Sequence, residues 1–444
     1  MPGLEFSGVL PSEMFWRNLI WLILILKTFN LRRKAKWLVS MNLCFLLPVN
    51  GLSGGLFVIY EHAKRLREKG HEVHLVFQDD RFPVKITNYP DMQNFPTRYL
   101  KDVRASEKFD FAIATWWETA YAISKIPAKN YGYFVQGLEE RFYEVPLRFF
   151  GPFVQKTLAS EFHFFCISHY LERHLSQIGK NASVVLNSIN FNLFGPEKAT
   201  YPRTRKLRVL VEGPVSAGLK RVPFAFSVLR EIPEVEVFAL SADGSVDPEA
   251  RVDRLFTKVP YAEVPPIYAS CDILLKLSSQ ESFGLPILEM FASGGTAIVT
   301  AFTGHNELVR DGENGLVVPI DDKAAAVAAV KRLIDDPALL AKLKAGAKET
   351  CSRFSWEKSN DAFERRLLQI DAETPADRVA DAPVPEEWRD AHEDIKRFDQ
   401  EIHNVRAELG KRSEELHRLM NSHAWKIGRA ATWPIRKMRE TGRR

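Results

Sequence analysis

From Met41 onward, short continuous apolar runs alternate with longer stretches in which apolar residues recur every three to four positions. "NLCFLLP" has strand length, "NGLSGG" is a glycine loop, "FVIYEHAKRLREKG" has helical amphipathic spacing and "HEVHLVF" is a second strand, so this stretch predicts a βαβ unit. "FDFAIAT" and "FHFFCIS" continue the series. Unbroken apolar runs indicate strands covered on both faces, as in a parallel sheet with helices on either side. A second series starts at "LRVLVEG", passes through the helix "PFAFSVLREI", and continues with "VEVFALS", "DILLKLS", "TAIVT" and "GLVVP". The expectation is an α/β protein of two doubly wound, Rossmann-like domains, residues 41–200 and 201–370, facing a cleft.

After Ile370 the pattern changes. "DAETPADRVADAPVPEE" is rich in Pro, Ala and acid and has little to bury, which predicts a linker over 371–387. Trp388, Ala391, Ile395, Phe398, Ile402, Val405, Leu409, Leu416 and Leu419 then fall three and four apart, with Arg412 at the one polar seam position. That is a heptad repeat, and it predicts a coiled-coil helix followed by a basic tail over 388–444, with a homo-oligomer formed through 388–420. A helix packed back on the globular body is the other reading of the same stripe.

The N-terminal segment 1–40 contains "NLIWLILILK", whose continuous apolar core from Leu19 to Leu26 is shorter than the ~20 residues a spanning helix needs. Its basic flank, Arg32, Arg33, Lys34 and Lys36, follows the apolar run, and no small-residue cleavage site appears. Two readings stand: an interfacial helix on an anionic leaflet, or a start codon placed too early, with Met41 as the natural beginning. The second is preferred, because "MNLCFLLPVNGLSGG" reads as a domain start.

The chain of 444 residues carries a formal charge of +5, too little to require nucleic acid as a partner. Its distribution says more. Lys426, Arg429, Arg436, Lys437, Arg439, Arg443 and Arg444 crowd the end around Trp425 and Trp433, a composition suited to an anionic membrane surface or to a solvated tail. The four cysteines, Cys44, Cys166, Cys271 and Cys351, are dispersed and lack metal-ligand spacing, so buried inert thiols in a reducing cytoplasm are expected.

Chemistry concentrates in "LLKLSSQESFGLPILEMFASGG". Pro286 suits the first turn of a helix that Gly294 and Gly295 stop. Glu281 then lies on the loop at the carboxyl end of a parallel strand, and Glu289 about one turn into the helix. The amides of Phe283, Gly284 and Leu285 sit near the helix start, where orphan donors attract hydroxyls and phosphates. Amides beside carboxylates suit a ligand that carries both phosphate and many hydroxyls. The plainer reading, a capping Glu281 and a solvated Glu289, fits the spacing equally well.

The segment Val259 to Pro319, with its two glutamates eight positions apart, "FGLP", the glycine pair and "ELVRDGENGLVVP", closely resembles the donor-binding half of family 4 glycosyltransferases of the GT-B fold. "GLSGG", "ISHYLERHL" and "VVLNSINFNLFGP" extend the resemblance to about Met41 to Ile370. It implies that Glu281 and the amides of Phe283, Gly284 and Leu285 hold hydroxyls of the donor sugar, and that Glu289 holds the ribose. Gly54 and Gly55 would let the first domain approach the diphosphate, beside Gly213, and Lys220 would neutralise the leaving group. Members of that family usually carry an arginine directly after the glycine equivalent to Gly213. Pro214 stands there instead, and Arg221 is the candidate for the missing charge.

The resemblance implies a retaining transferase that moves a sugar from a nucleotide-diphosphate donor, with no cofactor and, in the absence of any Asp-x-Asp, no metal. For the acceptor, a glycan or a lipid-linked molecule, the first domain offers Trp117, Glu118 and Tyr121 in "TWWETAY", and Gln136, Glu139 and Glu140 in "YFVQGLEERFY". "NSHAWKIGRAATWPIRKM" resembles a short segment of bacterial rhamnan and O-antigen transferases, which tilts the donor toward a deoxyhexose such as dTDP-rhamnose. The expected setting is bacterial surface polysaccharide synthesis by a cytoplasmic protein peripheral on the membrane. The rivals are a GT-B nucleotide-sugar epimerase and a catalytically weak GT-B body serving as a coiled-coil scaffold.

Overall fold

A computed structural model of the chain describes residues 40–49, 53–81, 86, 89–142, 150–245, 247 and 249–421. The extension 1–39 and the basic tail 422–444 lie outside the described residues, and with them the expectations placed there.

The apolar runs form two sheets. The first contains β1 (Asn42–Leu47), β2 (Glu72–Phe77), β3 (Thr97–Tyr99), β4 (Phe109–Ala114), β5 (Ala128–Val135), β6 (His163–Cys166) and β7 (Ala182–Val184), in the order β3-β2-β1-β4-β5-β6-β7. The second contains β8 (Arg208–Glu212), β9 (Glu236–Ser241), β10 (Arg254–Thr257), β11 (Ile273–Lys276), β12 (Thr296–Thr300) and β13 (Gly315–Val318), in the order β10-β9-β8-β11-β12-β13. Every strand pairing is parallel. Strand order reverses between β1 and β4 in one sheet and between β8 and β11 in the other. At such switch points the connections leave to opposite sides and open a crevice at the carboxyl ends.

The burial pattern follows the composition of the runs. Leu43 to Leu47 and Ile273 to Leu277 are enclosed, as strands covered by helices on both faces must be. Helix starts are capped where the sequence offers a short polar side chain: Ser53 accepts from the Leu56 amide at 3.2 Å ahead of Gly54–Glu68, and Ser168 from the Leu171 amide at 3.3 Å ahead of His169–Gln177.

The boundary at 370 needs correction. The helix Trp356–Glu373, assigned from sequence to the second domain, packs on the first. The Phe363 ring meets Phe165 at 4.9 Å, His62 at 5.2 Å and Phe134 at 5.4 Å between centroids. Lys69 reaches Asp361 and Glu364 at 2.6 Å each, and His71 reaches Glu364 at 3.0 Å. Asn360 donates to the His62 ring and carbonyl, both at 3.2 Å, and burial lowers the His62 pKa to about 3, so the imidazole is a neutral core group. The expected linker is also less free than its composition suggests. Val384 is buried, the Ala380 amide donates to Ala128 O at 3.0 Å, and Pro383 O accepts from the Glu161 amide at 3.3 Å.

From Pro385 the chain forms a separate compact unit. Its helix, Glu386–Asn421, exposes Phe398, Val405 and Leu409 at heptad spacing, each more than half accessible (63%, 59% and 60%). Glu408–Arg412 and Glu414–Arg418 pairs, four residues apart, run along it. Among the described residues no helix is long and apolar enough to cross a membrane.

Candidate active site

The switch point of the second sheet places two charged residues at adjacent strand ends: Glu212 closes β8 and Lys276 closes β11. Lys276 Nζ donates to Glu212 Oε2 at 2.7 Å and to the Glu212 carbonyl at 3.2 Å. Glu281 follows on the loop after β11. Lys220, at the end of the short 3-10 turn Gly218–Lys220, contacts both Glu281 oxygens at 2.7 Å. Lys276 lies 3.6 Å from Glu281 Oε1, and the Ser278 hydroxyl donates to the same oxygen at 3.1 Å. The two loops are tied by the backbone, since the Ser279 amide donates to Leu219 O at 2.9 Å.

The cluster is built close. Gly213 has φ +132, in the region that favours glycine, and a Cβ there would lie 3.7 Å from both Lys220 Cβ and Lys276 Nζ. Gly284 has φ +90 and caps the helix Leu285–Ala292, and a Cβ on it would fall 2.9 Å from Ile287 Cδ1. Only glycine therefore lets the chain turn from Glu281 into that helix. Phe283 is buried, with its ring 5.7 Å from that of Phe354, while Leu285 is partly exposed at the helix start.

Electrostatics separates the two glutamates. Burial works against the Glu281 carboxylate, yet the charges of Lys220 and Lys276 more than offset it and hold its pKa below the usual range. Glu289 is 7% exposed, and burial together with the Glu212 charge pushes its pKa up to about 7. Its Oε1 accepts from the Tyr261 hydroxyl at 3.1 Å. The Lys276 pKa is raised: burial opposes the charge, and Glu212 and Glu281 outweigh that opposition.

Across the crevice stands the start of Gly54–Glu68. A Cβ on Gly54 would lie 3.9 Å from Leu285 Cδ1, one on Gly55 3.3 Å from Gln136 Nε2, and one on Gly137 3.4 Å from Ser282 Oγ. The two rims thus meet at Gly54 and Leu285 and at Gly137 and Ser282, which sets the Gly54–Gly55 helix start beside the loop that carries Glu281 and Gly284.

Two expectations fail. Arg221 does not join the cluster: it adopts φ 50, forms an ion pair with Asp321 and lies 4.7 Å over the Phe224 ring. The second cation beside Glu281 is Lys276, which the sequence reading passed over as part of an apolar strand. Trp117 is fully buried, packed against Phe150 at 5.5 Å and Tyr121 at 6.1 Å, so it presents no face to a sugar. Its neighbour Trp116 is half-buried and stacks on Phe142, with 3° between ring planes. Tyr121 donates its hydroxyl to Phe153 O at 2.9 Å, and Glu139 is buried, so these too belong to the core, while Glu118 and Gln136 stay partly exposed. The four cysteines are free and buried, as expected.

Residues 252–350 match the family model described as glycosyl transferases group 1. That segment contains Lys276, Glu281, Gly284 and Glu289. Over 293 residues the chain is 29% identical to the O-antigen biosynthesis protein RfbC of Myxococcus xanthus, covering 63% of this chain and 22% of that protein. It spans between about a fifth and about a third of the length of the curated relatives it matches (22%, 30% and 35%). Among solved structures, sucrose-phosphate synthase from Thermosynechococcus elongatus superposes with a TM-score of 0.64 at 16% identity, covering 76% of this chain and all (100%) of that one. HepE from Anabaena in complex with UDP-glucose gives 0.58 at 18% identity, covering 74% and 100%. These likenesses establish the fold, two Rossmann-like sheets in the GT-B arrangement.

Proposed function

We propose that the protein is a retaining GT-B glycosyltransferase of family 4 that moves a sugar from a nucleoside-diphosphate sugar to a glycan or lipid-linked acceptor in bacterial surface polysaccharide synthesis. The observation that carries this reading is the Lys220–Glu281 pair at the switch point of the second sheet, opposite the Gly54–Gly55 helix start. The donor's diphosphate would take the Lys220 ammonium and the amides at Gly54 and Gly55. Glu281 and the amides of Phe283 to Leu285 would take hydroxyls of the sugar, and Glu289 those of the ribose.

In the transfer, the acceptor hydroxyl oxygen bonds to the anomeric carbon while the bond from that carbon to the β-phosphate oxygen breaks. The acceptor proton passes to the departing phosphate on the same face, which preserves configuration. Negative charge grows on the diphosphate, so fixed cations and amides stabilise the transition state more than the ground state. Lys220 fills that role without a divalent ion, and activity is expected to survive excess chelator.

The group 1 match and the likeness to an O-antigen biosynthesis protein support the polysaccharide setting. The UDP-glucose complex of HepE makes UDP-glucose one donor to try, and dTDP-rhamnose another. Melting the full chain with a panel of UDP-, dTDP-, GDP- and ADP-sugars tests the reading. A donor that binds the folded state raises the midpoint as its concentration exceeds Kd, and a flat response to the whole panel refutes the assignment.

The exposed stripe of Phe398, Val405 and Leu409 supports a second copy of the chain as partner of the helix Glu386–Asn421. Asp394, Glu401, Glu408 and Glu415 recur every seven residues on one flank of that seam. An antiparallel pair would set these four acidic positions against each other, whereas a parallel pair sets only one of them, Asp394, opposite an acid, Asp399. A parallel dimer would carry two basic tails to an anionic membrane surface. Sedimentation of the full chain against a version ending at Val384 tests it: the full chain should run as a dimer at micromolar concentration, and two monomers refute the idea.

A further inference from the structure

Glu281 has two cations where one would neutralise it, and the two differ in access. The Lys220 side chain is 33% exposed and the Lys276 side chain 1%. Lys276 is enclosed at the end of β11 and held from behind by the Glu212 carboxylate and carbonyl, so a ligand entering the crevice meets Lys220 first. Yet Lys220 is already spent: both of its short contacts go to Glu281. For Lys220 to serve a diphosphate, that pair has to open.

Opening it has a cost that falls on Glu281. The Glu281 side chain is only 10% exposed, and a buried carboxylate stripped of its counter-charge takes up a proton. A protonated Glu281 would turn one of its two acceptor oxygens into a donor and lose the charge that strengthens its bonds to the sugar hydroxyls. The remaining charged neighbours are Lys276 at 3.6 Å, the Glu212 carboxylate bonded to Lys276, and Glu289 on the following helix with Tyr261 against it. Of these only Lys276 is positive. No rearrangement of the strand is needed for it to act, because it is the last residue of β11 and Glu281 is five positions on.

We propose that Lys276 is a positioning residue: the resident counter-charge that keeps Glu281 ionised and in place when Lys220 passes from Glu281 to the diphosphate of the donor. Glu212 orients Lys276 and balances its charge. The proposal rests on the glycosyltransferase reading for the identity of the incoming anion. The competing account makes Lys276 no more than the partner of Glu212, in which case removing both together leaves the site unaffected.

The double variant Lys276→Met/Glu212→Gln separates these accounts, because it leaves no unpaired buried charge and so preserves the fold where Lys276→Met alone would strand Glu212. Calorimetric titration of the full chain with UDP, dTDP, GDP and ADP, in buffers of different ionisation enthalpy near neutral pH, identifies the nucleotide that binds wild type and reads the protons taken up with it. With that nucleotide, the double variant is expected to take up about one proton more than wild type, through Glu281. Glu212→Gln alone should show no excess, since Lys276 remains. Adding Glu281→Gln to the double variant should abolish the excess. An excess that survives Glu281→Gln places the proton on another group such as Glu289 and overturns the proposal. A folded double variant with wild-type proton uptake also overturns it, leaving the nucleotide reading intact. Failure of all four nucleotides to bind wild type refutes that reading itself, and the proposal with it.

Discussion

Each sheet has a carboxylate at its rim, Glu139 buried and Glu281 mostly shielded, and the two have opposite electrostatic fates. On the second sheet, Glu281 lies among Lys220, Lys276 and Ser278, and the cations hold it ionised against its burial. On the first, Glu139 accepts from the Trp117 amide at 2.7 Å and the Tyr133 hydroxyl at 3.0 Å, and burial pushes its pKa up to about 8. The difference lies in the company each keeps. Neutral donors hold one oxygen of the Glu139 carboxyl and tie a loop to a strand, whereas cations keep a charge available that an incoming ligand can share. Glu139 is therefore a brace beneath the first rim, and Glu281 the centre of a charged cluster at the second.

The largest effect expected from breaking this contrast is on the braced side. Trp117→Ala removes a fully buried indole and should lower stability by about 3–5 kcal/mol in chemical denaturation, while nucleotide affinity of the folded fraction stays near wild type. A large loss of affinity at unchanged stability would move Trp117 from the core to the site.

Much of this division was readable from sequence. Strands covered on both faces leave unbroken apolar runs, so β1, β2, β4, β6, β8, β9, β11, β12, β13 and the two-sheet plan were visible, as was the turn from Glu281 into the helix of Glu289, whereas β5 was not, because Lys129, Asn130 and Gly132 interrupt its apolar run. Lys276 was not, because a lone lysine ending "ILLK" acquires meaning only once topology sets β11 beside β8 and its terminal Glu212. Trp117 was misplaced for a similar reason. A clue was present: Trp117 and Tyr121 are four apart and so share a helix face, which is the spacing of a core stripe, and Trp116 falls outside it. The return of Trp356–Glu373 to the first domain was illegible, since an amphipathic pattern tells that a face is buried and not against what.

A smaller effect sharpens the picture within the second rim. With a pKa of about 7, Glu289 is ionised above neutrality and protonated below it. If it accepts ribose hydroxyls, nucleotide affinity should fall as pH drops through 7. Glu289→Gln should weaken binding about 10-fold at pH 8 and flatten that dependence. An unchanged acid limb in Glu289→Gln would remove the residue from the nucleotide site.

The smallest expected effect returns to Glu139. Its folded pKa, about 8, stands above the ordinary value of 4.5, so the native state binds the extra proton and stability falls as pH rises from about 4.5 to 8. Glu139→Gln keeps acceptor and shape without the titration. The melting difference between variant and wild type should shift in favour of the variant by a few degrees between pH 5 and pH 8, with donor turnover little altered. A constant difference across that range would show that Glu139 stays ionised and that the contrast between the rims is false.

The central claim is that Glu281 meets the sugar of a nucleotide-diphosphate donor. Its most direct test is the affinity of wild type and Glu281→Gln for a nucleotide sugar and for the matching free nucleotide, measured by calorimetry on the full chain. The account predicts that wild type binds the nucleotide sugar more tightly than the nucleotide. In Glu281→Gln that advantage should vanish while the nucleotide still binds, and turnover should fall by about 10²–10³. An undiminished sugar contribution in Glu281→Gln, with turnover near wild type, would contradict it.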